Sequence, residues 1–143
     1  MFTYDVIQKF NDTEIHIYIV LLAELFGASR EIVLSLAPKA VTTPIAMEIS
    51  EAVGGLSPVT AAVVVATGIF GGMAGFRIIK FANVSSPIAS GLSMGTAAHA
   101  VGTSAAMERG ERYGAFSSVG LTINGLLTAL LAPFILELLG YQV

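Results

Sequence analysis

Apolar residues dominate three long stretches of the chain that contain no Asp, Glu, Lys or Arg. The stretches run from Ala52 to Phe76, from Phe81 to Met107 and from Tyr113 to Leu136. Each is longer than the ~20 residues that an α-helix needs to cross the hydrocarbon core of a bilayer. A soluble domain with three such stretches would expose large apolar patches to water. The pattern therefore predicts an all-α, polytopic membrane protein.

The three stretches differ in composition. Val59–Phe76 is predicted to be a membrane span whose Gly-x-x-x-Gly spacings let another helix approach closely. Ala115–Leu139 is predicted to be a second span, interrupted at Asn124-Gly125 and at Pro133. Residues 89–106 are mostly Gly, Ala, Ser or Thr, which suits contact with protein or a cavity better than contact with lipid.

The first part of the chain is less apolar. Met1–Glu14 is predicted to be a polar tail and lacks the features of a cleavable signal peptide. Ile15–Phe26 is apolar but short, which predicts either an interfacial helix or the remnant of a longer span. Glu31–Lys39 adds about two helical turns.

Proline then predicts a break between two short helices. Pro44 is unfavourable inside a helix but favourable in its first turn, so a new helix is predicted from Pro44 to about Val53. Thr43 is the predicted N-cap of this helix, and Gly54-Gly55 is predicted to end it.

A repeat at an offset of 60 residues relates this break to the later part of the chain. Ala40–Val59 and Ala100–Val119 are identical at ten of twenty positions, including the Met47-Glu48 and Met107-Glu108 pairs. The chain is therefore predicted to be one domain, 1–143, with the first repeat unit in 15–80 and the second in 81–143. Each unit would be a broken helix followed by a transmembrane helix. Paired broken helices in repeats are typical of a transporter-like site near the bilayer midplane.

The cations around residues 81–107 bear on the orientation of the two units. Arg77, Lys80, Arg109 and Arg112 flank this segment. If it is a re-entrant hairpin, all four lie on one side, which the positive-inside rule makes cytoplasmic, and the units are inverted. If the segment crosses the membrane, the units are parallel. We favour inversion.

Composition and charge narrow the range of functions. Charged residues are 12% of the chain, about half the share of a soluble domain. The net charge is -3 and the seven Lys and Arg form no basic stripe, so nothing indicates nucleic-acid binding. The chain has no Cys and two His far apart, and it has neither a nucleophile–base pair nor a phosphate-binding loop. We therefore expect neither a metal, a cofactor nor an enzyme.

The predicted breaks supply a candidate anion site. Helix starts at Thr43 and Thr103 would leave backbone N–H groups without partners and add the positive end of the helix dipole. Such groups suit a carboxylate or phosphate. The offset also pairs Lys39 with His99, and His99 could carry a proton together with the anion. The candidate substrate-binding residues are Lys39, Thr42, Thr43, Pro44, His99, Gly102, Thr103, Ser104 and Asn124.

Structural roles compete with this interpretation at several positions. His99 could be a packing contact that donates to a backbone carbonyl, and Lys39 could extend to the membrane interface. Asn124 lies inside a predicted span and could join helices by hydrogen bonds. Glu48 and Glu108 are expected at solvated helix ends, away from any pathway.

Three stretches of sequence resemble a known family. They read LSLAPKAVTTPIAMEISEAVGG, TGIFGGMAG and GLSMGTAAHAVGTSAAMERGERYGAFSS, and the resemblance to the LrgB/CidB family extends from about Ile19 to Leu139. Members of that family are bacterial membrane proteins, described as antiholin-like, that modulate murein hydrolase activity together with a small LrgA/CidA-type membrane partner. A plastid relative translocates glycolate and glycerate, and some bacterial members are linked to pyruvate uptake. Members are longer and carry further spans before the PKAVTTPIA stretch.

The resemblance implies a multi-pass protein of the bacterial inner membrane. It implies a transporter of a small monocarboxylate anion, linked to control of murein hydrolase activity. The alternative is a holin-like oligomeric regulator of murein hydrolase export and autolysis that has no specific substrate. Both readings imply an LrgA/CidA-type partner, and a homo-oligomer is expected.

Overall fold

The computed structural model describes residues 12–141, which form six helices and no strand. Residues 1–11 of the predicted polar tail lie outside the described residues, and 12–14 belong to the first helix. The helices are α1 (Asp12–Leu25), α2 (Arg30–Leu36), α3 (Thr43–Ala52), α4 (Ser57–Phe81), α5 (Pro87–Arg109) and α6 (Glu111–Leu138). The all-α prediction is confirmed.

The break between α2 and α3 covers residues 37–42, so α2 ends three residues before the predicted Lys39, and α3 starts within one residue of its predicted position. Pro44 occupies the first turn of α3, and Gly54, at φ 85°, follows the end of the helix. That left-handed conformation suits glycine, which has no Cβ. The predicted cap is one residue late, however. Thr42 is the N-cap, its side chain makes no capping hydrogen bond, and Thr43 is already helical.

Two helices, α4 and α6, are long and apolar enough to cross a membrane, at 25 and 28 residues. Helix α6 is continuous, so the predicted interruptions at Asn124-Gly125 and Pro133 are wrong. Large apolar side chains on both helices are exposed on the surface of the chain: Val65, Ile69, Phe70, Met73, Ile123, Leu126, Leu130 and Phe134. Outward apolar faces of this kind are what a helix in contact with lipid requires.

Helix α5 is broken at Ala98-His99, where the backbone leaves the helical region (φ -128°, ψ 17° and φ 40°, ψ -133°). The break predicted at Thr103-Ser104 is therefore misplaced by about one turn. The physical reason is that Ser104 stands where the first unit has Pro44. Serine has a backbone N–H and no ring, so the helix can begin several residues earlier.

The two arms of α5, residues 87–97 and 100–109, both lie along the first half of α6. Gly95 in the first arm packs against the backbone of Ser117, and Thr103 in the second arm hydrogen bonds to the Ser117 side chain. The arms also contact each other. A Cβ atom added to Gly102 would overlap the carbonyl oxygen of Met94. Because residues eight apart in a straight helix are about 12 Å apart, α5 must turn back on itself at the break.

The glycines of α4 face α5 of the same chain. Gly68 lies against the His99 ring, Gly71 against Ala98 and Gly75 against Met94. The close approach that the Gly-x-x-x-Gly spacings predict is therefore made within the chain.

Contacts at the two ends of the bundle fix the directions of the long helices. At one end, Leu136 of α6 packs in a buried cluster with Val33 of α2 and with Val53, just after α3. The start of α4 is at this end too, because Thr60 hydrogen bonds to Ser35 and Ser50. At the other end, the Arg109 guanidinium lies 4.4 Å from the centroid of the Phe76 ring. Helices α4 and α6 therefore run in opposite directions.

Candidate functional site

His99 lies at the break of α5, and its ring packs against α4. The residue is 3% exposed, and its Nε2 atom is 2.9 Å from the carbonyl oxygen of Val64. A carbonyl can only accept, so Nε2 carries the hydrogen and donates it. Gly68 makes room for the ring, because a Cβ atom there would come 2.7 Å from Nε2. The ring therefore ties the α5 break to the middle of α4.

Asn124, in the middle of α6, joins the two breaks. Its Nδ2 atom donates to the carbonyl oxygens of Ala40, at 2.8 Å, and Thr96, at 3.1 Å. Ala40 belongs to the break between α2 and α3, and Thr96 lies in the last turn of the first arm of α5. The Asn124 Oδ1 atom accepts from the Thr128 hydroxyl at 3.3 Å. Since Asn124 is 3% exposed, the breaks meet inside the bundle.

Thr103 differs from its predicted role as a helix cap. It lies within the second arm of α5, donates to the His99 carbonyl at 2.9 Å and pairs with the Ser117 hydroxyl at 3.0 Å. Both hydroxyl groups are buried, so the pair holds the second arm on α6. The prediction that Thr103 and Ser104 start a helix is wrong.

We expect Thr103→Val to lower the free energy of unfolding, because the substitution keeps the shape but leaves Ser117 without its partner. The expected loss is about 1–2 kcal/mol. Ser104→Ala is the matched control, since Ser104 is exposed and donates to the Ala100 carbonyl of its own helix. Thermal unfolding in detergent measures both, and equal stability of the two variants would contradict the buried pair.

The structure brings together only some of the predicted site residues. His99, Gly102, Thr103 and Asn124 are buried around the α5 break. Lys39, Thr42 and Thr43, at the first break, are half-buried, whereas Pro44 and Ser104 are exposed.

Sequence reasoning missed four contributors: Ala40, Val64, Thr96 and Ser117. Three of them act through backbone carbonyls, which the residue type does not reveal. The repeat offset carried a signal for Val64, which is paired with Asn124, and for Ser117, which is identical to Ser57.

A surface cleft of about 460 Å³ lies elsewhere, between α1, α2 and the residues after α6. Tyr141 lines this cleft and donates a hydrogen bond to Glu24. Burial of the hydroxyl, aided by that carboxylate, raises the pKa of Tyr141 to about 12. The cleft lies at the end of the bundle and includes none of the residues around the breaks.

Residues 15–138 match the profile of the LrgB-like family. The chain is 41% identical over 123 residues to an uncharacterized protein of Haemophilus influenzae, covering 86% of this chain and 53% of the relative. It is 32% identical over 120 residues to the holin-like protein CidB of Staphylococcus aureus, covering 84% and 52% of the two chains. It is 38% identical over 117 residues to the uncharacterized protein YwbG of Bacillus subtilis, covering 82% and 52%.

The chain spans about half the length of the curated relatives that it matches. No solved structure matches it. The family profile nevertheless extends from the first described helix to the end of α6 and includes both breaks. Together with the two apolar helices, this match identifies a membrane protein. The chain belongs to the LrgB-like family.

Proposed function

We propose that the chain contains two inverted units, each made of a re-entrant broken helix and a membrane span, and that their tips form a site for a small monocarboxylate. The opposite directions of α4 and α6 support inversion, because these helices are equivalent in the repeat. The α5 arms support re-entry, because both lie along the same half of α6. The arms of the first unit, α2 and α3, likewise both contact the start of α4 through Ser35 and Ser50.

Reciprocal contacts between the units also support a two-fold relation. Val64, in the span of the first unit, accepts from His99 at the break of the second. Asn124 is the residue 60 positions after Val64, and it donates to Ala40 at the break of the first unit. Each span thus contacts the break of the other unit at an equivalent position. Inverted repeats in transporters place the substrate site where such breaks meet, at the bilayer midplane.

Each unit has two half-helices, α2 and α3 in the first and the two arms of α5 in the second. The polarity of these half-helices favours binding of an anion. The carbonyl groups of Ala40 and Thr96, which precede the second half-helices, are already paired with the Asn124 amide. By contrast, the N-terminus of α3 receives no side-chain cap from Thr42. Its N–H groups and the positive end of its dipole can therefore bind a carboxylate. We infer transport of a monocarboxylate, linked to control of murein hydrolase activity with an LrgA/CidA-type partner.

The meeting of both breaks at Asn124 carries this proposal, and uptake tests it. Proteoliposomes containing the full chain, with and without an LrgA-type partner, are placed in external medium that contains labelled glycolate, glycerate, pyruvate or lactate. We expect saturable uptake of at least one of these acids. Leakage that rises linearly with concentration and does not discriminate among the acids would refute a carrier.

Topology gives a second prediction. Arg109 lies over Phe76, which brings the exposed residues Arg77, Lys80 and Arg112 to the same end of the bundle. The opposite end, near Leu136, carries Arg30 beside Glu31, Glu51 and Glu137. The positive-inside rule then makes the end with the four cations cytoplasmic in the bacterial inner membrane.

Single cysteines at positions 80 and 110 should be labelled from the same side by an impermeant thiol reagent. A cysteine at the exposed position 52, at the end of α3, should be labelled from the other side. Labelling of positions 80 and 110 from opposite sides would make α5 a membrane-crossing helix and the units parallel.

A holin-like role is the second candidate, because the relative in Staphylococcus aureus is named a holin-like protein. In that role the chain would form homo-oligomers through the outward apolar faces of α4 and α6 and would bind no substrate. Substitutions on those faces would then abolish function, whereas His99→Gln would leave it intact. In a carrier, His99→Gln would abolish function, whereas substitutions on those faces would leave it intact.

A further inference from the structure

One buried amide makes two side-chain hydrogen bonds that join the two breaks. Both hydrogens of Asn124 Nδ2 are used, one toward Ala40 and one toward Thr96. We propose that Asn124 is a positioning residue that clamps the first break against the second, so that the two form one site. This inference rests on the proposed function for its consequence in transport, but the clamp itself is a property of the fold.

The chemistry of the two carbonyl groups explains why an amide is required. Carbonyl groups at the end of a helical segment lack intrahelical partners and need donors when they are buried. A side-chain amide offers two N–H donors on one atom, which a hydroxyl cannot. The Thr128 hydroxyl faces Oδ1. Because the carbonyls can only accept, the orientation of the amide is fixed by its partners.

The clamp is asymmetric between the units. The position equivalent to Asn124 in the first unit is Val64, which has no side-chain donor. At Val64 the span accepts a hydrogen bond instead of donating one, because the His99 ring donates to the Val64 backbone carbonyl. Loss of Asn124 should therefore release the first break from the second unit, while the second break stays attached to α4.

Cysteine cross-linking in the membrane tests this release, because the chain has no native cysteine. Cysteines at Ala40 and Thr96, treated with a short bifunctional thiol reagent, report the distance between the breaks. Cysteines at Thr103 and Ser117, whose hydroxyl oxygens are 3.0 Å apart, report the packing of α5 on α6. They replace the hydroxyl pair with two thiols in every background alike, so the backgrounds can be compared with one another. Each pair is placed in the native background, in Asn124→Leu, and in Thr122→Val, an exposed control on the same helix.

We expect Asn124→Leu to slow cross-linking of the 40/96 pair at least about fivefold, because two buried hydrogen bonds are lost. The 103/117 pair should cross-link as in the native background, and Thr122→Val should change neither pair. Unchanged cross-linking of the 40/96 pair would overturn the clamp. Loss of both pairs would overturn it too, since Asn124 would then be a general packing residue.

Uptake separates this inference from the proposed function. If the native chain carries a monocarboxylate, Asn124→Leu should raise KM at least about fivefold, while Thr122→Val leaves KM unchanged. A native chain without uptake would defeat the proposed function and leave the cross-linking result to decide the clamp. Normal KM in Asn124→Leu would defeat the positioning role even if the native chain transports.

Discussion

Gly102→Ala is expected to destabilise the chain by at least about 2 kcal/mol, because one methyl group would force the arms of α5 apart. A Cβ atom at this position overlaps the carbonyl oxygen of Met94 and lies 2.6 Å from the Cβ of Ala98. The Met94 oxygen is backbone, so it cannot rotate away as a side chain could. Relief requires the arms to separate, and that would weaken the contacts of both arms with α6.

Gly72→Ala is the matched control. It is also a glycine within a helix facing the α5 region, but its added Cβ atom would be 3.0 Å from a side-chain methyl group of Val101, which can move. Because alanine is favoured over glycine in helices by about 1 kcal/mol, this variant should be neutral or slightly stabilised. Unfolding in detergent, followed by circular dichroism, measures both variants. If Gly102→Ala were as stable as Gly72→Ala, the folded-back geometry of α5 would be wrong.

The contrast between the two breaks explains how far the sequence could predict the fold. The first break carries Pro44, which fixes the start of α3 within one residue of its predicted position. The second has no proline or glycine at Ala98-His99. Its position follows from tertiary contacts, such as the His99 ring with Val64. Local signals therefore located one break and misplaced the other.

The sequence likewise predicts only part of the candidate site. His99 and Asn124 stand out because an imidazole ring and a side-chain amide are uncommon among the Gly, Ala, Ser, Thr and apolar residues of these charge-free stretches. Both side chains are buried and contact the breaks or lie at one. The helix-start pattern predicts Thr43 and Thr103 as caps, and neither acts as one. Pairing of Asn124 with backbone carbonyls depends on long-range packing, which residue type and spacing do not encode.

His99→Gly and His99→Ala are expected to abolish most uptake yet to differ in stability, with the glycine variant the more stable. The backbone of His99 has φ 40° and ψ -133°. In this region a residue with a Cβ atom is strained by about 1–3 kcal/mol, whereas glycine is not. Both substitutions remove the ring and its hydrogen bond to Val64. Their difference in free energy of unfolding therefore isolates the conformation of the break.

The sign of that difference is informative because it reverses the usual order. Within a regular helix, alanine is more stable than glycine by about 1 kcal/mol. At Ala97, one residue before the break and exposed on the first arm, Ala97→Gly should show this ordinary loss. At position 99 the free energy of unfolding of the glycine variant should exceed that of the alanine variant by about 1 kcal/mol or more. An alanine advantage at position 99 would mean that α5 continues as a regular helix through the break, and the paired half-helices on which an anion site depends would not exist.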